Sequence, residues 1–175
     1  MLFISGIHGV GKSYFCQQVK DKLGVISYSA STLISEKKNS GFSIDKLIPD
    51  IDDNQKYLLA AIDELNSVSK RYLLDGHFCL LNAAGAVQRI PQSTFTTLNP
   101  DAILLLTENA EVIADRRFKR DHIQQAVNEI EAFQREEAQY ASEIVGHLHI
   151  PIHISPGAAR LSEAIMFVGT TMGRI

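Results

Sequence analysis

Apolar residues along this chain fall into short unbroken runs that alternate with longer stretches of helical spacing. Leu2, Phe3 and Ile4 form the first run, a strand candidate, and over 14–23 Phe15, Cys16, Val19 and Leu23 share one face at helical period. A second strand is predicted over 24–28, after which Ser29 or Ser31 can cap a short helix through Leu33 and Ile34. The polar, turn-rich residues 36–43 predict a mobile surface segment at the edge of a binding region. Tyr57, Leu58, Ala61, Ile62 and Leu65 then recur at helical spacing and predict a helix over 53–68.

A third apolar strand over 71–75 runs into Asp75, Gly76 and His77, and a fourth over 102–106 follows the turn at Asn99, Pro100 and Asp101. The tract 111–144 is helical, predicted as two helices with a break near Arg120, Asp121 and His122. A fifth strand over 150–154 contains Pro151, which suits an edge position, and leads through Ser155, Pro156 and Gly157 into a closing helix over 158–170. Strands alternating with helices call for a parallel sheet covered on both faces.

Composition narrows the class. At 175 residues the chain fits one domain over 1–175 with a substantial core, and 45% hydrophobic with 21% charged residues is ordinary for a globular protein. A net charge of -3 offers no broad basic surface, which argues against nucleic acid as principal partner. Cys16 and Cys79 stand far apart without a Cys/His cluster, so neither a zinc site nor a disulfide framework is expected. No basic leader and no apolar window of about 18 residues is present. The expected setting is the cytoplasm, with no membrane partner.

The chemistry is concentrated behind the first strand. Residues 6–13 read Gly6, Ile7, His8, Gly9, Val10, Gly11, Lys12, Ser13, a complete G-x-x-x-x-G-K-[ST] loop between a strand and a helix. Backbone N–H groups of such a turn curl around phosphates, and the dipole of the following helix favours the negative charge. The expected nucleotide-binding residues are Gly9, Val10, Gly11, Lys12, Ser13 and Tyr14, with Lys12 reaching the β/γ-phosphates and the Ser13 hydroxyl on Mg²⁺. Asp75 at a strand end has two readings, a carboxylate that holds Mg²⁺ or its water, and a plain Asp-Gly turn; the loop favours the first.

Arg116, Arg117 and Arg120 lie within about one helical turn. They can converge as a clamp on the charge of a transferring phosphoryl group, or form a solvated basic face with Asp115 and Asp121. His77 faces the presumed site, as a structural or a catalytic group. His147, His149 and His153 cluster in sequence without cysteine partners, a weak pattern for a metal.

These segments together resemble the archaeal-type adenylate kinases and, more widely, the nucleoside monophosphate kinase group of phosphate-loop proteins. The likeness rests on residues 6–13, on Leu74, Asp75, Gly76 and His77, on 98–106, and on Ile113, Ala114, Asp115, Arg116 and Arg117 with the long helix after them. It implies a three-layer α/β/α fold with a five-stranded parallel sheet of order 2-3-1-4-5 and Asp75 beside the phosphate loop. It also implies that Arg116 or Arg117 stacks on adenine or clamps phosphates as a short lid over about 116–126, and that Arg120 faces the transferring group. Residues 155–157 border the adenine, and an acceptor-binding insertion spans about 29–68.

The expected activity is transfer of the γ-phosphoryl of Mg-ATP to a small acceptor, in the first instance a nucleoside monophosphate, with Lys12, Arg116, Arg117 and Arg120 as catalytic residues and Ser13 and Asp75 on Mg²⁺. The alternative is a nucleotide-binding regulatory module or slow ATPase with no small-molecule acceptor. No arginine precedes Arg71, and Lys37, Lys38, Lys46 and Lys56 are the only Lys or Arg residues over 25–65. Lysine binds phosphate as a point charge and lacks the bidentate fork of arginine.

Overall fold

Leu2, Phe3 and Ile4 are at most 2% exposed, because the strand they form, β1 (Leu2–Ser5), occupies the middle of a sheet buried on both faces. The architecture is that of a computed structural model describing residues 1–38, 51–69, 71–122, 124–157 and 160–173. The elements that follow are α1 (Lys12–Leu23), β2 (Ser27–Ser29), α2 (Ala30–Lys38), α3 (Ile51–Val68), β3 (Leu73–Asp75), β4 (Cys79–Leu81), β5 (Val87–Arg89) and α4 (Gln92–Leu98). The remainder are β6 (Ala102–Thr107), α5 (Ala110–Asp121), α6 (Val127–Leu148), β7 (Ile152–Pro156) and α7 (Leu161–Thr171).

Five strands form one parallel sheet in the order β2-β3-β1-β6-β7. Counting only its members, this is the expected 2-3-1-4-5. A two-stranded antiparallel sheet of β4 and β5, together with α4, fills 79–98, which the apolar pattern left unassigned. The short alternation there carries too few positions to separate strand from loop.

Three strands start later than expected, β3 among them, at Leu73 in place of residue 71. Gly24, at φ 64, caps α1 by donating its N–H to the Lys20 carbonyl, so β2 starts only at Ser27. His149, at φ 54, likewise ends α6, and β7 pairs with β6 from Ile152 onward. β7 is an edge strand, as Pro151 implies. The break between the two long helices falls at His122, whose φ of 54 terminates α5.

Register places the C-terminal ends of the strands side by side. Ile4 pairs with Asp75 on one flank and Leu104 on the other, and Ser29 pairs with Asp75. That edge, where loops leave the sheet, is where ligands bind in open α/β sheets. Beneath it Phe3, Phe78 and Phe95 pack ring against ring, with Tyr140 of α6 closing the cluster. A Cβ on Gly76 would stand 2.7 Å from the Phe3 ring, so only glycine lets the chain turn this close to β1.

Of the predicted surface segment 36–43, residues 39–43 lie outside the described residues, as do Lys46, Ile123 and Ala158. Among the described residues no helix is long and apolar enough to cross a membrane.

Candidate active site

The loop between β1 and α1 needs glycine at three places. Gly6, Gly9 and Gly11 adopt φ of 140, 84 and 109, and a Cβ on Gly6 would come within 2.5 Å of the Leu106 carbonyl oxygen. Gly11 is the N-cap of α1 and supplies no side-chain cap, which leaves the donors of the first turn for an anion. Gly9, Val10, Gly11, Lys12, Ser13 and Tyr14 all line a cavity of about 800 Å³, a volume in the range of ligand sites.

Lys12 is 8% exposed and its ammonium donates to the carbonyl of Gly6 at 2.5 Å. Asp75 Oδ1 lies 3.7 Å from Lys12 Nζ, and His77 Nε2 lies 3.5 Å from it. Burial lowers the pKa of Lys12, against the opposing pull of Asp75 and Glu137. Burial also raises that of Asp75, with Lys12 acting the other way. His77 is held well below its ordinary value by burial and then by the charges of Lys12, His8 and Arg117, so it stays neutral. The His8 and His77 rings lie 4.3 Å apart, between centroids.

Ser13 and Asp75 both face the cavity and offer a hydroxyl and a carboxylate, the hard oxygen donors that suit Mg²⁺, which keeps several waters of its own. The three histidines near the end of α6 are separated in use: His149 forms the C-cap, and His153 stacks on Phe167 at 5.3 Å. Among the described residues no group of three His, Cys, Asp or Glu gathers as a metal site.

The arginines of α5 divide. Arg116 and Arg120 line the cavity, and Arg117 does not. Arg116 donates to the carbonyls of Gly9 and Val10 at 3.3 and 3.2 Å and pairs with Glu108 at 3.1 Å. Arg117, 6% exposed, donates through Nε and Nη2 to the carbonyl of His8 at 2.9 and 2.6 Å and also to Gln125. Burial, followed by the charge of Arg120, lowers its pKa to about 10. Arg120 is bound by Asp121 at 2.9 and 2.6 Å. Arg116 and Arg117 therefore brace the outer, carbonyl side of the phosphate loop, where helix position brings them because Asn109 caps α5 through the N–H groups of Glu111 and Val112.

One residue of the site lay outside the sequence reading. Glu137 of α6 is 1% exposed and accepts hydrogen bonds from Ser5 Oγ at 2.5 Å, Gly6 N at 3.2 Å, Phe78 N at 3.0 Å and Cys79 N at 2.7 Å. Burial raises its pKa, while Ser5, Phe78, Cys79 and Lys12 pull it down. The carboxylate joins the start of the phosphate loop to the chain leaving β3. Its signal was present: Ile130, Phe133, Tyr140, Ala141 and Ile144 are the buried face of α6, and a glutamate interrupts that apolar stripe at 137.

The rest of the cavity runs two ways from the loop. One end is walled by Thr107, Glu108, Ser155 and Gly157, at the ends of β6 and β7, and by Leu161 at the start of α7. Gly157 donates to the Thr107 carbonyl at 2.7 Å, and a Cβ there would meet Glu108 at 2.8 Å. The other end is walled from α2, α3, the β4–β5 hairpin and α4, and includes Ile34, Leu58, Leu80 and Phe95.

A family model described as an AAA domain matches residues 5–134. The chain is 29% identical over 150 residues to an adenylate kinase of Pyrobaculum aerophilum, covering 80% of this chain and 76% of that protein. It is 28% identical over 122 residues to a protein of Methanocaldococcus jannaschii named "Putative adenylate kinase", covering 68% of this chain and 58% of that one, less than two thirds of its length. Among solved structures, a shikimate kinase of Bacteroides thetaiotaomicron superposes with a TM-score of 0.59 at 12% identity, over 98% of this chain and 97% of that chain, which is a likeness of fold.

Proposed function

The chain belongs to the AAA domain family, and on that premise we propose that it is a kinase that transfers the γ-phosphoryl group of Mg-ATP to a small acceptor. One observation carries this: the phosphate loop opens into a cavity that continues beyond it, past Asp75, to a second wall at Leu58 and Phe95. A site that only held a nucleotide has no use for that second wall. The names of the two curated relatives support an adenylate kinase-like reaction.

In this reading the N–H groups of residues 9–14 and the Lys12 ammonium hold the phosphates. Lys12 leaves the Gly6 carbonyl to do so. Ser13 and Asp75 hold Mg²⁺, which supplies charge neutralisation on the phosphate oxygens when bound. The wall at Thr107, Ser155 and Gly157 receives the base, with Arg116 over the loop beside it. Arg120, on the open side of the cavity, releases Asp121 to meet the charge on the moving group, and Arg117 acts through the His8 carbonyl by fixing the loop. Positioning and electrostatics carry this chemistry without a covalent intermediate. Residues 1–175 act as one unit, with the acceptor region about 29–68 and a lid about 116–126.

The test is ADP formation from Mg-ATP across a panel of nucleoside monophosphates, nucleosides and small alcohols. Acceleration by one acceptor class supports the kinase. Slow turnover that no acceptor changes would sink it and leave a nucleotide-dependent regulatory module.

A further inference from the structure

The acceptor half of the cavity is walled by Ile34, Leu58, Leu80, Ile90, Phe95 and Leu98, with hydroxyls at Ser29, Ser31 and Thr94. Among the described residues the lysines and arginines that line the whole cavity are Lys12, Arg116 and Arg120, which stand on the loop and α5. Three basic side chains on the elements flanking the acceptor half, those of Lys37, Lys38 and Arg89, are engaged elsewhere. Lys37 pairs with Glu64, and Lys38 lies over the Tyr57 ring at 5.0 Å. Arg89, one residue before the wall residue Ile90, is turned onto α6, where Glu136 and Glu143 each bind it at 2.6 Å and its guanidinium covers Tyr140.

An anion placed against the apolar wall would lose its hydration where no described lysine or arginine beyond those of the loop and α5 lines the cavity, a penalty that pairing normally offsets. An apolar body placed there gains from the same burial, and a few hydroxyls suffice to orient it.

We propose that the acceptor is an uncharged alcohol with an apolar body, held against the wall at Ile34, Leu58, Phe95 and Leu98 and oriented by the hydroxyls of Ser29, Ser31 and Thr94. The proposal rests on the kinase reading and replaces a nucleoside monophosphate with a neutral acceptor. In the step, the bond between the γ-phosphorus and the β,γ-bridging oxygen breaks, and ADP leaves with its electron pair. The acceptor hydroxyl oxygen bonds to the same phosphorus, and the hydroxyl proton passes to water.

The experiment uses the full chain with Mg²⁺ and two pairs of probes that differ by one anionic group: adenosine with AMP, and methyl shikimate with shikimate. Binding is read by calorimetry beside a non-hydrolysable ATP analogue, and turnover by ADP release from ATP. The neutral member of at least one pair is expected to bind at least tenfold more tightly than its anionic partner. Binding of the anionic members as tightly or more tightly, or of neither member in both pairs, overturns the proposal. Failure of every probe to accelerate ADP release, with the neutral preference in binding intact, counts against the kinase and not against the chemistry of the wall. Ser31→Arg, at an exposed position on the rim, is expected to raise AMP affinity at least tenfold by supplying a cation; unchanged AMP affinity would contradict the proposal.

Discussion

Glu137 grips Gly6 from below: its carboxylate accepts the Gly6 N–H at 3.2 Å, while the carbonyl of the same glycine holds the Lys12 ammonium at 2.5 Å. The buried acid and Lys12, the lysine proposed to hold phosphate, are thus coupled through one residue of the loop. Replacing Glu137 by alanine leaves the N–H groups of Gly6, Phe78 and Cys79 without this acceptor in a buried place. A loss of about 3–5 kcal/mol is expected in denaturant unfolding. Glu137→Gln keeps one acceptor oxygen and is expected to fall between the two, with a raised KM for ATP.

Gly6→Ala tests the backbone of the loop itself. The new methyl would stand 2.5 Å from the Leu106 carbonyl oxygen and 2.9 Å from Val10 Cγ1, at a φ of 140 that alanine avoids. A cost of about 2–4 kcal/mol follows from strain and overlap together. Thermal unfolding measures it, and a change smaller than about 0.5 kcal/mol would contradict the loop geometry.

Lys12→Ala and Arg120→Ala are expected to separate binding from turnover. The first removes the buried ammonium that faces the cavity and should weaken Mg-ATP binding by tenfold or more, read by calorimetry. The second removes a half-exposed guanidinium and should lower kcat with ATP affinity nearly unchanged. An unchanged kcat in Arg120→Ala would remove the proposed role on the moving phosphoryl group.

His77 gives the fold a pH dependence of definite sign. Its folded pKa lies well below the ordinary value of about 6.5, so the unfolded chain takes up the proton first as pH falls. The stability it contributes is present above about 6.5 and is lost as pH drops toward the folded value. Between pH 7.5 and 5.5 the denaturation midpoint of the wild-type chain is expected to fall further than that of His77→Gln. Equal shifts in the two proteins would show that the imidazole charges freely in the folded state.

The donor half of the site was legible in the sequence because its chemistry is local. Eight consecutive residues carry the phosphate loop, and a strand-end Asp-Gly marks Asp75, so no long-range contact had to be known. The parallel sheet was legible for a similar reason, since β1 and β6 are short apolar runs between helical patterns. The partners of Glu137 were hidden because they stand 58 to 132 residues away. The outward turn of Arg89 was hidden too, since its acids belong to α6 and meet it only after the β4–β5 hairpin has docked. The different uses of Arg116 and Arg117 come from the direction each side chain takes from α5, which spacing alone does not fix.

The carboxylate of Glu137 has a further consequence during synthesis. The phosphate loop leaves the ribosome well before α6, and the acceptor for Ser5 and Gly6 is translated more than 130 residues after them. A nascent chain still lacking α6 therefore has the full nucleotide-binding motif without the clasp that shapes it. That clasp arrives late, when α6 seats its one buried acid.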